Sequence, residues 1–367
     1  MITSVASPAD AIHLGLDTSK NTIVVGVLMP SEQMPVVDRI FNDEASVRRL
    51  VARLGDPGLL RACYEAGPGG YELHRLLASL GVACDVVAPS LIPKGASERV
   101  KTDRRDAARL ARLHRAGELT PIRVPSVAEE AIRDLVRARA AVLSDRKRAQ
   151  QRLTAMLMRH GRVWRDGCYW TAAHRQWLTA QRFDDPALTT AVAFYRAALE
   201  TRETELAAIE AELAARSLPQ HLAAAVARLG CYRGIGHLNA LTLAAEVVDW
   251  RRFASARAFM GYTGLVPSEY SSGERTRRGH VTKAGSEPVR TALTEAAWTY
   301  RHRPAIGVTL RTRQQGAAPE TLARSWKAQR RLHGVYRSMT ARSRPSAVAT
   351  TAVARQLAGF VWAEMTS

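Results

Sequence analysis

The order of apolar runs in the first third of the chain most restricts how it can fold. Five short, largely apolar runs predict strands and two amphipathic stretches predict helices, in the order three strands, helix, strand, helix, strand. The predicted strands cover 12–17, 22–29, 35–41, 59–65 and 83–88, and the predicted helices cover 44–54 and 71–80. This order predicts an α/β sheet in which the first and fourth strands lie side by side in parallel, joined by a right-handed crossover.

Two of the predicted strands end in an acid, and another pair of acids begins the helical run after the last strand. Asp17 and Glu65 close the first and fourth strands, and Asp103 and Asp106 stand three residues apart on one helix face. Because open α/β sheets place their sites at the carboxyl ends of neighbouring strands, we expect the four carboxylates to converge there. Such oxygen ligands suit Mg²⁺ ions that act on a phosphodiester.

Each acid also has an ordinary structural explanation. Asp103 and Asp106 fit the cap of a helix N-terminus, with an acid at the N-cap and another at the third position. Asp17 could cap a turn, and Glu65 could face solvent beside a glycine-rich loop. Taken together in this strand order, the acids favour the metal site, and Arg104 beside them keeps the surroundings attractive to phosphate.

The charge of the chain indicates a polyanionic partner. Lys and Arg number 53 against 34 Asp and Glu, a net charge of +19, and nucleic acid is the first candidate. A basic membrane-surface protein is the alternative, but the charge is spread along the whole chain rather than held in one amphipathic anchor. The four cysteines are widely spaced, which argues against a zinc site or a disulfide framework and fits a reducing cytosol. Neither a secretory signal nor a membrane span is visible, so we expect no membrane partner.

A long stretch without Pro or Gly, 128–160, predicts a helix, and an apolar stripe within 195–213 predicts a partner helix. The spacing of three and four residues in both stripes favours an antiparallel coiled-coil arm or a dimerising pair, with a helical bundle as the alternative. Arg146, Lys147 and Arg148 belong to a basic run that we expect to face phosphate rather than only solvent. Three Trp residues between the helices fit either base stacking or a small aromatic core.

The last third contains a glycine turn and then a basic, glycine-rich loop. Gly234 and Gly236 precede an apolar helix, where exposed backbone N–H groups could bind phosphate, although glycines also serve plain turns. In the loop, serines stand among cationic side chains that would stabilise a phosphate under attack by a hydroxyl. These side chains are Arg275, Arg277, Arg278 and Lys283. The alternative is a phosphate-binding loop whose serines only donate hydrogen bonds.

Two groups of motifs resemble the DEDD transposases of insertion-sequence family one-ten. The first group comprises LDTSK at 16–20, YEAGPGGY at 64–71 and KTDRRDAARLA at 101–111. The second comprises GLVPSEYSSG at 264–273 and RRGHVTKAG at 277–285. The resemblance therefore covers nearly the whole chain.

By this resemblance, the catalytic positions are Asp17, Glu65, Asp103, Asp106 and Ser272, and the four carboxylates hold the cofactor Mg²⁺. The family's catalytic serine directly precedes a glycine, as Ser272 does, and the sequence alone leaves its neighbour Ser271 as a substitute. Lys20 and Lys101, which flank two of the carboxylates, would face the nucleic-acid backbone.

The implied fold is α/β plus α. It has a RuvC- or RNase H-like domain over 1–122, a coiled-coil region over 123–220 and a mainly helical transposase domain over 221–367. The implied function is a site-specific recombinase of a bacterial insertion sequence, acting through a phosphoserine intermediate in the cytoplasm, at the nucleoid. Its implied partners are donor and target DNA, a structured bridge RNA and further copies of itself in a dimer or tetramer. A Piv-like DNA invertase, a metal-dependent RuvC-like junction nuclease and a non-catalytic nucleic-acid-binding protein are the alternatives.

Overall fold

The computed structural model describes residues 10–93, 102–269 and 278–367. The chain forms two compact units that meet in sequence between Val124 and Pro125. Outside the described residues lie five residues singled out in the sequence: Lys101, Ser271, Ser272, Arg275 and Arg277. The predicted boundaries after residues 122 and 220 remain predictions.

The first unit contains a five-stranded mixed sheet. Its strands are β1 (Ile12–Thr18), β2 (Thr22–Leu28), β3 (Val36–Phe41), β4 (Leu60–Glu65) and β5 (Ala83–Val87), and its helices are α1 (Glu44–Leu54), α2 (Glu72–Ser79) and α3 (Asp103–Arg115). The strands lie in the order β3-β2-β1-β4-β5, with β1 parallel to β4, β4 parallel to β5, and the remaining pairs antiparallel. The predicted parallel pairing of the first and fourth strands is confirmed.

The two faces of this sheet are covered by different helices. Leu14 and Leu16 of β1 pack in one apolar cluster with Val47 of α1 and Leu77 of α2. Since side chains alternate along a strand, the odd-numbered residues of β1 point to the opposite face. That face is covered by α3, and Cys63 and Leu110 pack together there.

Two glycines opposite each other let α3 approach the sheet closely. Gly15 pairs with Gly26 across β1 and β2. A Cβ on Gly15 would overlap the carbonyl oxygen of Ala107 and the amide nitrogen of Ala111, and a Cβ on Gly26 would lie 2.6 Å from the same carbonyl oxygen. The helix backbone therefore lies directly on the sheet, which determines the position of its first turn.

Replacing Gly15 is expected to separate α3 from the sheet. The overlapping atoms belong to the helix backbone and cannot rotate away, so we expect Gly15→Ala to lower the free energy of unfolding by about 3 kcal/mol. The matched control is Gly69→Ala, because a Cβ at Gly69 would have no heavy atom within 4 Å. Urea denaturation of the full chain measures both variants, and equal midpoints for the two would contradict the close packing of α3.

The second unit begins with two long helices, which are present as the sequence predicts. They are α4 (Val127–Arg159) and α6 (Pro186–Ala215), and the short α5 (Ala172–Ala180) lies between them in sequence. Arg139 of α4 contacts Glu210 of α6 at 2.6 Å, whereas Leu153 clusters with Leu199, so the helices run antiparallel. The buried stripe residues are Ile132, Ala149, Leu153 and Met156 of α4 and Leu199, Leu206 and Leu213 of α6.

The tryptophans between the long helices form a small aromatic core. His174 is 1 % exposed, and its ring lies against Trp164, Trp170 and Trp177 at centroid distances of 5.0 to 5.6 Å. The backbone N–H of Trp170 donates to Nδ1 of His174 at 3.0 Å. This packing fits the small-core explanation of these aromatic residues rather than base stacking.

The rest of the second unit is a helical domain around its last helix. Its elements are α7 (Gln220–Gly230), α8 (His237–Val247), α9 (Ala256–Tyr262), β6 (Pro267–Glu269), β7 (Arg278–Val281), α10 (Glu287–Ala297), α11 (Val308–Arg313), α12 (Pro319–Ala341) and α13 (Ser346–Thr366). Ile132 and Val136 of α4 belong to the same apolar cluster as α13, and Arg137 of α4 makes two hydrogen bonds of 2.7 and 3.0 Å to the carboxylate of Glu246. The base of α4 is therefore part of this core. Across the described ranges, no helix is both long and apolar enough to span a membrane.

Candidate active site and nucleic-acid interface

Asp17 and Glu65 lie on the sheet face that α3 covers. The parallel register pairs Leu16 with Tyr64, so the next residues, Asp17 and Glu65, stand side by side where β1 and β4 end. Each acid lies two residues after a position beneath α3: Gly15 in β1, and Cys63, whose Sγ donates to the carbonyl of Leu110 at 3.6 Å. Because side chains alternate along a strand, both acids share the face of α3.

Asp103 and Asp106 occupy the first turn of α3, near that same edge of the sheet. The helix runs antiparallel to β1, because His114 near its end lies against His13, whereas Ala107 lies over Gly15. Its first turn therefore extends toward the end of β1 where Asp17 lies. In this way the fold brings the two predicted pairs of acids to one edge and one face.

Asp103 does not cap the helix. The N-cap is Thr102, whose hydroxyl accepts a 3.4 Å hydrogen bond from the backbone N–H of Arg105. The explanation of Asp103 as the N-cap residue is therefore wrong, and this exposed carboxylate is not needed for that contact. Asp106 is half-buried, and its Oδ1 lies 3.4 Å from Nη2 of Arg109.

The carboxylates are not arranged as a closed coordination sphere. Within residues 10–93, 102–269 and 278–367, no three His, Cys, Asp or Glu side chains lie close enough together to hold a metal ion. The donors are hard oxygens, which is the ligand type that Mg²⁺ requires. The convergence of the four carboxylates on one metal ion therefore remains a prediction.

A histidine pair beneath the other end of α3 was missed by the sequence analysis. Nδ1 of His13 lies 3.4 Å from Nδ1 of His114, and Nε2 of His114 lies 3.2 Å from Oδ2 of Asp85. These contacts hold the last turn of α3 to β1 and β5, so they position the helix that carries two of the acids. The available signal was alternation, because His13 lies on the same face as Gly15 and Asp17.

This pair predicts a stability change on acidification. Burial, followed by the positive charges of His114, Arg115 and Arg61, lowers the pKa of His13 to about 4. In the unfolded chain the group titrates near 6.5, so the unfolded state takes up the proton first as the pH falls. The contribution of neutral His13 to the free energy of unfolding is therefore fully present above pH 6.5 and should decrease as the pH falls from about 6.5 to 4. Urea midpoints across this range should fall less steeply for His13→Asn, and an identical slope would contradict the assignment.

The serine motif stands beside a short two-stranded ribbon. Pro267 of β6 pairs with Val281 of β7, and Glu269 pairs with Arg278. The residues between Glu269 and Arg278, which include Ser272, are outside the described part of the chain. In sequence, β6 therefore precedes the predicted nucleophile and β7 follows it.

The base of this ribbon requires unusual backbone conformations. Gly264 and Gly285 have φ of 65° and 89°, and a Cβ on either would overlap a carbonyl oxygen, of Ala284 and Tyr262 respectively. Lys283 also has a positive φ of 54°, which costs energy for a residue with a side chain. Such strain is common at functional sites, and here it accompanies an exposed lysine that the sequence predicts to contact phosphate.

Arg290 stabilises this strained segment. Its Nη1 donates to the carbonyl oxygens of Thr263 at 3.2 Å and Lys283 at 3.1 Å. A cavity of about 460 Å³ opens next to the ribbon, with Val281 and Val348 on its apolar wall and Lys283 and Arg355 on its cationic side. A nucleic-acid strand carries negative phosphates beside apolar bases, so the cationic side and the apolar wall of this cavity suit its approach.

The two glycines of the turn before α8 have different roles. Gly234 has φ of 81°, and a Cβ there would lie against the Ala296 carbonyl and 2.6 Å from Oγ1 of Thr299, so the turn packs tightly on the end of α10. Gly236 is the N-cap of α8, and no heavy atom lies within 4 Å of the Cβ position there. Phosphate contacts at this turn remain a prediction.

The other predicted phosphate contacts differ in exposure. Lys20, Arg104 and Lys147 are exposed, as is Arg148, which pairs with Asp145 at 2.9 Å. Arg146 is instead half-buried toward α6, where it helps to lower the pKa of Glu203 after the larger effect of the hydrogen bond from Arg175. The contacts of these side chains with nucleic acid remain predictions.

Comparison with known proteins links both parts of the chain to one group. A family model for DEDD transposases of the IS110 type matches residues 14–161, and one described as the transposase IS116/IS110/IS902 family matches residues 227–309. The putative transposase y4qE of Sinorhizobium fredii is 43% identical over 95% of this chain and 87% of its own length. The transposase of insertion element IS1533 from Leptospira borgpetersenii is 30% identical over 89% of this chain and 96% of its own. A probable family 20 transposase of Pseudomonas aeruginosa is 28% identical over 96% of both chains.

Proposed function

The chain belongs to the IS116/IS110/IS902 transposase family, and on that basis we propose that this insertion-sequence transposase cuts and rejoins DNA through a phosphoserine link. Ser272 is the proposed nucleophile. The proposed metal-binding residues are Asp17, Glu65, Asp103 and Asp106. The observation that carries this proposal is the shared face and edge of the four acids, with Thr102 rather than Asp103 capping α3.

A RuvC-like role for the first unit is supported by its topology. Parallel strands β1 and β4 end in adjacent acids, and α3 covers that face of the sheet. Open α/β sheets place their sites at the carboxyl ends of such strands. This position favours a functional explanation for the arrangement over a purely structural one.

The DEDD type of the first family model implies dependence on a divalent metal in general, and we propose Mg²⁺. The four carboxylates would hold it, and Arg104 would add positive charge at the same edge. When bound, the ion would supply positive charge to a scissile phosphate. Gly15 and Gly26 let α3 pack directly against the sheet. This packing would hold Asp103 and Asp106 near the edge of the sheet.

The serine step conserves the energy of the phosphodiester. The Oγ of Ser272 attacks phosphorus and loses its proton as a new oxygen–phosphorus bond forms. The bond from phosphorus to one deoxyribose oxygen breaks, and that oxygen leaves as a hydroxyl after protonation. Attack by a hydroxyl of another strand end reverses the step and releases the serine, so resealing needs no ATP. The cations Arg275, Arg277, Arg278 and Lys283 would stabilise the charge on the phosphate oxygens.

The middle helices and the basic surface suggest the partners. We propose that α4 and α6 form a coiled-coil arm of a homo-oligomer, because apolar residues of both helices are buried together at each end of the helix pair. Donor and target DNA and a structured bridge RNA are the proposed polyanionic partners of a chain with a net charge of +19. Sequencing of the nucleic acid that copurifies with the protein tests whether an RNA guides it. The lack of a discrete structured RNA would contradict the proposed bridge RNA.

Denaturing electrophoresis of the protein with labelled DNA and Mg²⁺ tests the central proposal. We expect a labelled band at the combined mass of the protein and the attached DNA strand, because a phosphoserine link survives denaturation. Cleavage without any covalent label would instead support a metal-dependent nuclease. If neither cleavage nor label occurs while DNA is bound, the non-catalytic alternative is supported. The products then separate transposition from the inversion that a Piv-like enzyme would perform.

A further inference from the structure

The second unit contains a cavity of about 610 Å³ that the recombination chemistry does not use. It lies between α7, the segment after α11 and the start of α12. Arg228, Arg313 and Arg324 line it, together with small residues that include Ala227 and Ala317. A volume of this size is typical of pockets for small-molecule ligands.

A buried glutamate behind the lining anchors two of these arginines. Glu364 is fully buried, and its carboxylate accepts hydrogen bonds from Nε of Arg228 at 2.8 Å and Nε of Arg324 at 2.6 Å. Oγ1 of Thr321 and the hydroxyl of Tyr232 also donate to it, at 2.7 and 3.2 Å. Burial tends to raise the pKa of Glu364, but the bonds from Arg324, Thr321 and Arg228 outweigh this effect and lower the pKa. The carboxylate is therefore ionised.

One arginine on the lining of this cavity is not paired with Glu364. Glu364 forms ion pairs with two guanidinium groups, those of Arg228 and Arg324. Glu320, which lines the cavity, is exposed. Arg313 has no acidic partner among the described residues; its Nη1 donates to the carbonyl of Ile235. Arg313 is thus not paired with an acidic side chain of the described residues, and a partly buried guanidinium without a counter-ion is costly.

Donor groups remain available toward the cavity. Arg324 uses Nε on Glu364, and in the described residues neither of its Nη atoms has a hydrogen-bond partner. Its side chain is 30% exposed, so these N–H groups can reach a ligand. Arg228 is similarly anchored through Nε and Nη2, which leaves Nη1. Guanidinium groups fixed by a carboxylate on one side present preorganised N–H donors on the other, which suits the oxygens of phosphate.

We propose that this cavity binds the phosphate group of a nucleotide, with Arg228, Arg313 and Arg324 as its cationic contacts. The guanidinium N–H groups bind the phosphate, and the alanine-rich wall accommodates the sugar and base. The phosphate comes either from a free nucleotide or from the end of a nucleic-acid strand, since the chemistry is the same. This binding is independent of the proposed strand exchange, because it requires neither cleavage nor added metal.

Isothermal titration calorimetry of the full-length protein with deoxyadenosine 5′-monophosphate tests the proposal. The decisive variant is Ala227→Trp, because Ala227 is exposed, lines the cavity and leaves every arginine and Glu364 in place. We expect it to weaken binding by about tenfold or more. The matched control is Ala323→Trp, which puts the same indole at an exposed alanine of α12 outside the lining and should bind like the unmodified protein. Arg324→Gln should also weaken binding, with thermal melting as the check on folding.

Further ligands identify the source of the phosphate. Deoxyadenosine without phosphate should not bind. If a 5′-phosphorylated oligodeoxynucleotide displaces the mononucleotide and its unphosphorylated form does not, the ligand is a strand end. If only the mononucleotide binds in a manner sensitive to Ala227→Trp, the ligand is a free nucleotide. Equal affinity of Ala227→Trp and Ala323→Trp for the mononucleotide, or no saturable binding by the unmodified protein, would overturn the proposal.

Discussion

Ser272→Ala is expected to abolish the covalent protein–DNA adduct and to reduce recombination by roughly 10⁴-fold or more, the scale seen when an enzyme loses its nucleophile. Alanine cannot form the oxygen–phosphorus bond, so strand ends would no longer be held for resealing. The basic side chains and the carboxylates stay in place, so DNA binding should be retained. Labelled DNA on a denaturing gel measures the adduct, and a plasmid assay measures joined products.

Ser271→Ala is the matched control for this prediction. It removes the neighbouring hydroxyl and leaves the serine that directly precedes Gly273. We expect it to form the adduct at close to the unmodified level. If only Ser271→Ala loses the label, the nucleophile has been assigned to the wrong serine. If the double variant Ser271→Ala, Ser272→Ala still carries the label, the phosphoserine mechanism at this motif is wrong.

Asp106→Asn is expected to reduce DNA cleavage by about 10²-fold or more, because an amide is a weaker ligand for a divalent cation than a carboxylate. The substitution preserves the shape of the side chain, and Thr102 rather than Asp106 caps α3, so the helix should remain folded. Chelation of divalent metal should abolish cleavage by the unmodified protein, and added Mg²⁺ should restore it. Cleavage rates on labelled DNA, with urea midpoints alongside, measure both effects.

Glu118→Gln serves as the matched control, since it removes an exposed acid just beyond the opposite end of α3. It should cleave like the unmodified protein. Full recombination by Asp106→Asn, or cleavage that persists without divalent metal, would contradict the metal site. Loss of activity in both variants would instead indicate a general effect of charge on DNA binding.

The strand order could be predicted because it depends on short-range patterns. Short apolar runs, two amphipathic stretches and the right-handed crossover were sufficient to place β1 beside β4. The pairing of Asp17 with Glu65 followed from the same order. The role of Ser272 rests on the sequence motif and the family, because the residue lies outside the described part of the chain.

The cap of α3 shows where local patterns were insufficient. Thr102 and Asp103 are both good N-cap residues, and only the backbone conformation decides which of them begins the helix. In the same way, Gly15 and Gly26 read as ordinary strand glycines until the register places them opposite each other beneath Ala107.

The sequence by itself determined the two-part transposase pattern, the strand order and the candidate acids and serine, because these depend on residues close together in the chain. The tertiary structure alone decided which face the acids share, that Thr102 frees Asp103 from capping, and that Glu364 anchors Arg228 and Arg324 on the lining of one cavity. Residues separated by 136 and 40 positions meet there. Such contacts depend on how whole helices pack, and no local periodicity encodes them.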